Sequence, residues 1–211
     1  MQIIRKITYP KNFLNRKLHS SFEVESLCKL DDLVNKSIMN EEWDNAKLIL
    51  EKELEKSPDD HWIITQLSEV YYEMRDYVKA LELSTKAIEL APDCPLAMND
   101  NALHLFMHEK DNEAIEIWDK MLKIGVEEIA YGKCGEGLRN AKSLLNDVRM
   151  RIGLSYFETG QNEKALLYFK EHLNNRQRGL YSNFTKQEVE NKIHEVELLQ
   201  NHKTIQTAEK N

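Results

Sequence analysis

Three of the seven glycines in this chain crowd into Tyr131-Gly132-Lys133-Cys134-Gly135-Glu136-Gly137, around a thiol. Glycines permit positive φ and close backbone approach, so such a segment could cradle an anion at the start of a following helix, or hold Cys134 as a nucleophile of lowered pKa. The spacing is neither GxGxxG nor a P-loop, and no His or Asp accompanies the thiol locally. The plainer role is a helix break that resets the phase of the helices after it. Arg139, Arg149 and Arg151, with Arg176 and Arg178 beyond them, are the basic concentration of the folded part. Gathered beside the loop they would suit a phosphate or an acidic partner; dispersed, they would pair with acids across the fold.

His104 and His108 lie four apart, which on a helix puts both imidazoles on one face at metal-ligand spacing, with Glu109 or Asp111 as oxygen donors nearby. No third ligand is fixed and there is no HExxH pattern, so neither a metal nor any other cofactor is expected. Cys28, Cys94 and Cys134 are odd in number and far apart, without CxxC or Cys/His ligand spacing. That fits neither a disulfide framework nor a structural zinc site, and it suggests a reducing cytoplasm.

The elements that must position these residues are set by a beat of 34. Ala46, Ala80 and Ala114 fall at that interval, and Pro58 and Pro92 keep it. A period of this length means stacked helix pairs, each unable to bury its apolar face without a neighbour. Leu27, Leu30, Leu33, Val34 and Ile38 recur at helical spacing before the break Asn40-Glu41-Glu42; a second helix then runs from about Trp43 to Lys56 and stops at Ser57-Pro58. The last element opens on a capping box, Thr185 with Glu188.

The net charge is −7, yet residues 1–22 hold Arg5, Lys6, Lys11, Arg16 and Lys17 without an acid, leaving about −12 on the body. An acidic body repels nucleic-acid phosphates, so no nucleic acid is expected. No run approaches the ~18 apolar residues of a membrane span, and membrane insertion is not expected either. The basic start reads as an extension or docking arm rather than an organellar leader.

Within residues 61–94, Leu67, Tyr71, Ala80, Ala87 and Pro92 carry a pattern that resembles the tetratricopeptide repeat (TPR) family, with Ile64, Ser68 and Ser84 as departures from its Trp, Gly and Phe. A looser copy comes after it in Met98, Ala102, Leu105, Ala114, Trp118 and Met121, and Ile152, Gly153, Tyr156, Ala165 and Phe169 then restore the pattern strongly. The resemblance implies an all-α TPR-type α-solenoid of about four helix pairs plus a C-terminal capping helix. The expected layout is a basic arm at 1–22 and a solenoid at 23–200, ending in a disordered tail at 201–211. Its units are about 27–60, 61–94, 95–128 and 146–179, with a Gly-rich insertion at 129–145 and the capping helix at 186–200.

The same resemblance turns the first helix of each pair towards a concave groove. It implies a partner-binding stripe of Asn35, Trp62, Gln66, Glu69, Tyr72, Glu73, Asn99, Asp100, Leu103, Phe106 and Met107. Some family members clamp the acidic tail of a chaperone with Lys, Arg and Asn, but Asp31, Gln66, Leu96 and Asp100 stand at those places here and only Asn35 fits. Acids there would repel such a tail. The expectation is therefore a cytoplasmic, non-enzymatic adaptor or scaffold whose partner is a protein segment with apolar anchors beside Lys or Arg. Self-association through the arm stays open, as does a ligand-binding regulator or small enzyme using a second surface of Tyr131, Cys134, Glu136, Arg139, Arg149 and Arg151.

Overall fold

The computed structural model of the protein describes residues 30, 32–135 and 137–208, the stretch 202–208 as backbone alone. The arm at 1–22, Cys28, Asp31 and Glu136 lie outside the described residues. The described chain is helical throughout: α1 (32–39), α2 (Trp43–Lys56), α3 (His61–Glu73), α4 (Tyr77–Leu90), α5 (Pro95–Met107), α6 (Asp111–Ile124), α7 (Val126–Tyr131), α8 (Leu138–Glu158), α9 (Asn162–Asn174) and α10 (Lys186–Ala208). From α2 onward consecutive helices pack on one another, and α3 also touches α5 directly, which puts the first helices of neighbouring pairs on one side of the stack. It is an α-solenoid of the TPR type.

The repeat is written into its turns. Glu41, Arg75 and Glu109, at 34-residue intervals, have φ of 60°, 67° and 59°, and Gly160 takes the fourth such place at 72°. In each case the next amide reaches back five residues: Glu42 N to Ser37 O at 2.9 Å, Asp76 N to Tyr71 O at 2.9 Å, Lys110 N to Leu105 O at 3.0 Å and Gln161 N to Tyr156 O at 2.8 Å. This left-handed helix end satisfies carbonyls that would otherwise be orphaned and reverses the chain within about three residues. Side chains repeat too. Lys86 Nζ donates to Pro58 O at 3.0 Å, and one period later Lys120 Nζ donates to Pro92 O at 3.0 Å.

Helix starts are set locally. Asp60 accepts from the amides of Trp62 and Ile63, Asp76 accepts from Lys79 N, and Pro95 opens α5 where its missing N–H costs nothing. Ala46, Ala80, Ala114 and Ala165 are fully buried where paired helices cross, and Gly153 lies so close to Phe169 that a Cβ would come within 2.5 Å of its ring. Small residues at these crossings let the backbones approach.

The extra residues before the fourth pair form α7, a tight loop and the first turns of α8, which at 21 residues is longer than the other first helices. At the chain end the backbone of residues 201–208 continues α10 as helix. The Thr185–Glu188 capping box closes with Thr185 N donating to Glu188 Oε2 at 2.7 Å and Glu188 N donating to Thr185 Oγ1 at 3.2 Å.

The turn geometry is testable. Gly160→Val forces a branched side chain into the left-handed region and should lower unfolding stability by about 1–2 kcal/mol, whereas Glu109→Gly, at the same place one unit earlier, should lose none. Chemical denaturation of both variants checks this, and equal losses would count against the shared turn.

Candidate functional site

The inner stripe comes from two faces. On α3, Trp62, Gln66, Glu69 and Glu73 follow each other by one helical turn, with Tyr72 beside them; on α5, Asn99, Asp100, Leu103, Phe106 and Met107 do the same. The structure brings these two groups onto neighbouring helices, but not into water. Trp62 is 4% exposed, Glu69 8% and Asp100 2%, and Gln66, Asn99 and Leu103 are buried as well. Asn35, Tyr72, Glu73, Phe106 and Met107 are half-buried. The open, water-filled trough expected from the sequence is thus closed over its middle.

Two pieces from the insertion side help to close it. Arg151 on α8 is itself buried and donates from Nη1 to Asn99 Oδ1 at 2.9 Å. The loop after α7 carries Cys134 to within 3.4 Å of the Nε2 of His61, the first residue of α3. Aromatic packing takes up further residues of the stripe. Tyr72 stacks on His104 with ring centroids 5.5 Å apart, and Phe106 leans on Trp118 of α6 at 6.2 Å, so part of Phe106 belongs to the core of its own helix pair rather than to the groove.

The electrostatics of the strip arise from burial. Glu69 is held well above the usual carboxylate range, first by desolvation and then by the nearby charges of Asp100 and Glu73. Its Oε2 is buried without a hydrogen-bond partner. Tyr72 is pushed up to about 12 by burial, with Tyr77 and Glu73 adding to it. His104 is lowered to about 4, by burial first and by His108 second.

The second surface does not assemble. Tyr131 and Arg139 are exposed or half-exposed at the loop, Arg149 donates to Leu145 O at 2.9 Å and pairs with Glu171 at 3.7 Å, and Arg151 turns inward to Asn99 and lies over the Phe184 ring. Arg176 donates to Phe184 O at 2.7 Å. Arg149, Arg151 and Arg176 thus serve separate contacts. The His104/His108 pair divides likewise: His104 stacks on Tyr72, while His108 Nε2 donates to Tyr77 O at 3.0 Å.

A different cluster, missed in the sequence, does come together. His61, Cys94 and Cys134 place one ring nitrogen and two sulfurs within 4.8 Å of one another. His61 and Cys94 stand at the starts of successive first helices, one position out of register, so repeat stacking alone brings them near; that signal was present in the 34-residue period. Cys134 arrives from the insertion, whose path no period dictates. The Cys134 thiol is lowered, chiefly by a hydrogen bond from Cys94 and further by His61, while Cys94 is raised by the same bond and by burial.

Antiparallel helix pairs, left-handed turns at a fixed interval and an inner face shared by first helices define a helical-repeat solenoid, a class built to hold other chains. A tetratricopeptide repeat model matches residues 63–94. Among solved structures, a point mutant of MamA is 17% identical with a TM-score of 0.59, covering 87% of this chain and 93% of that one. MamA AMB-1 is 23% identical with a TM-score of 0.52 over 68% and 75%, and MamA from Desulfovibrio magneticus RS-1 is 15% identical with 0.51 over 69% and 73%. No curated protein sequence matches the chain. Residues 63–94 match a tetratricopeptide repeat, and the likeness of the whole chain to these solved structures is one of fold. Among the described residues, no helix is long and apolar enough to cross a membrane.

His104 gives the strip a pH signature. Its folded pKa lies below the unfolded value near 6.5, so the unfolded chain takes the proton first; the neutral ring's contribution is present above about pH 6.5 and is lost as pH falls towards about 4. Against His104→Phe, which keeps the ring on Tyr72, the wild type should lose up to about 3 kcal/mol across that window. Paired denaturation curves at several pH values check it, and parallel curves would refute the assignment.

Proposed function

We propose that this protein is a non-enzymatic adaptor of the cytoplasm that holds a peptide or helix carrying apolar and basic residues against the inner face of α3 and α5. The observation that carries the reading is Glu69: a buried carboxyl group with one oxygen unsatisfied, beside Asp100 and Glu73. Burying a carboxylate is costly unless a cation meets it, and three acids together raise that cost. A Lys or Arg from a partner is the group that relieves it. Entry is at the half-buried end, where Tyr72, Glu73, Phe106 and Met107 supply rings, a thioether and a guiding charge, and Glu69 lies one helical turn deeper than Glu73.

The basic arm at 1–22 has the chemistry of such a partner, in cis or from another copy, and competes with an outside ligand if it binds there. The alternative is a regulator or enzyme centred on the Cys134 loop; Arg149 and Arg151 are engaged elsewhere, with Leu145 O and Asn99 Oδ1, which favours the groove reading.

Fluorescence anisotropy with labelled amphipathic peptides tests the reading, using Leu/Lys sequences and their Leu/Glu counterparts. The full-length protein is compared with a variant in which Arg5, Lys6, Lys11, Arg16 and Lys17 are replaced by Gln. The basic peptides should bind at about micromolar Kd and the acidic ones far more weakly. Glu69→Gln should weaken binding at least ~10-fold, about 1.4 kcal/mol. The raised carboxyl pKa withdraws stability as pH climbs above its unfolded value, so Glu69→Gln should be no less stable than wild type at pH 8. Equal binding of both peptide signs, or full affinity in Glu69→Gln and Tyr72→Ala alike, would remove the inner face from consideration.

A further inference from the structure

The cluster at His61, Cys94 and Cys134 has no part in the groove reading and stands on firm supports. His61 is the first residue of α3, and Cys94 is the residue capping the start of α5. Cys134 sits in a loop tied by Gly135 N donating to Gly132 O at 3.0 Å and Gly137 N donating to Ala130 O at 2.9 Å. A Cβ on Gly135 would fall 2.3 Å from Ala130 O, so a side chain there would push the loop, and its thiol, off α7. Three donors from three separated segments therefore converge on rigid elements.

Their spacing is close to that of a coordination shell. Zinc bonds of about 2.3 Å to sulfur and about 2.0–2.1 Å to nitrogen, at tetrahedral angles, place neighbouring donors roughly 3.5–3.8 Å apart. Cys134 Sγ and His61 Nε2 are 3.4 Å apart, and all three donor atoms lie within 4.8 Å of one another. Two thiolates and an imidazole are soft and borderline donors, which select zinc over magnesium or calcium. Two thiolates also balance a divalent charge where Cys94 is buried, while His61 and Cys134 are only half-buried and leave an approach from solvent. A Cys94–Cys134 disulfide would need an oxidant and would leave the imposed position of His61 without a purpose.

We propose that His61, Cys94 and Cys134 bind a thiophilic divalent cation, zinc, through two sulfurs and one ring nitrogen, with the fourth position held by water. On binding, each thiol releases its proton to solvent, the metal takes both sulfur lone pairs, and nothing is oxidised or reduced. The ion fastens the insertion loop to the starts of two successive repeats.

The test is a cobalt titration of the full-length, reduced, metal-free protein. Expected are a sulfur-to-cobalt charge-transfer band and tetrahedral ligand-field bands that saturate at one equivalent, all abolished by added zinc. Cys134→Ser and Cys94→Ser should each remove the charge-transfer intensity of the two-thiolate site, with Cys94→Ala as a second variant should the buried serine disturb packing. His61→Gln should weaken cobalt binding at least ~10-fold. Zinc should raise the Tm of wild type and leave the variants unmoved, with helical circular dichroism confirming that each is folded. The proposal is overturned by any of three results: no charge-transfer band in wild type, a band that survives in the Cys94→Ser/Cys134→Ser double variant, or His61→Gln binding cobalt as wild type does. A reduced protein whose Cys134 alkylates rapidly while taking up no cobalt would likewise replace the metal site with a reactive thiol.

Discussion

Close approach of paired helices is the constraint on which the rest depends. A single hairpin of 13- or 14-residue helices leaves too much apolar surface open to be stable alone, so each pair must lean on the next. Ala46, Ala80, Ala114 and Ala165 mark where this happens, all fully buried. The consequence reaches the inner face. Because α3 and α5 are forced side by side, Glu69 meets Asp100 and Tyr72 meets His104. Neither pairing is chosen locally; both are imposed by the pitch of the stack.

That imposed proximity works against stability. An apolar pair at Glu69 and Asp100 would seal two helices more cheaply than two carboxyl groups, with the Oε2 of Glu69 left short of a hydrogen bond. Buried groups left short of partners are costs that folds seldom keep without a use. Here the cost is set off by Tyr72–His104 stacking, by the Arg151–Asn99 bond and by the surrounding apolar clusters.

How far the residues foretold this differs from place to place. The alanine interval exposed the helix pairs, since 34 residues is the length of two helices and two turns, and the capping box at Thr185 announced α10. The break at Asn40-Glu41-Glu42 was legible, but the left-handed conformation of Glu41, Arg75 and Glu109 was silent, because these side chains carry no signal for positive φ and the stack imposes it on them. Membership of a residue in the inner stripe was implied by the family resemblance. Its burial was not: spacing says which way Trp62 and Asp100 point, and only the tertiary path of the insertion says what lies against them. The convergence of His61, Cys94 and Cys134 escaped for the same reason, because His61 and Cys94 stand at successive helix starts one position out of register and Cys134 depends on a loop.

The insertion is therefore more than an interruption of phase. One continuous helix, α8, begins at the glycine loop and about four turns later presents Arg151 to Asn99, so the loop that carries Cys134 and the residue that closes the groove are fixed to the same rod. A sharp helix kink is almost always placed at a proline, a Gly/Ser pair or an inserted group, and from its start to Arg151 α8 contains neither proline nor glycine. Through this rod the seat of the loop and the Arg151–Asn99 bond are set together.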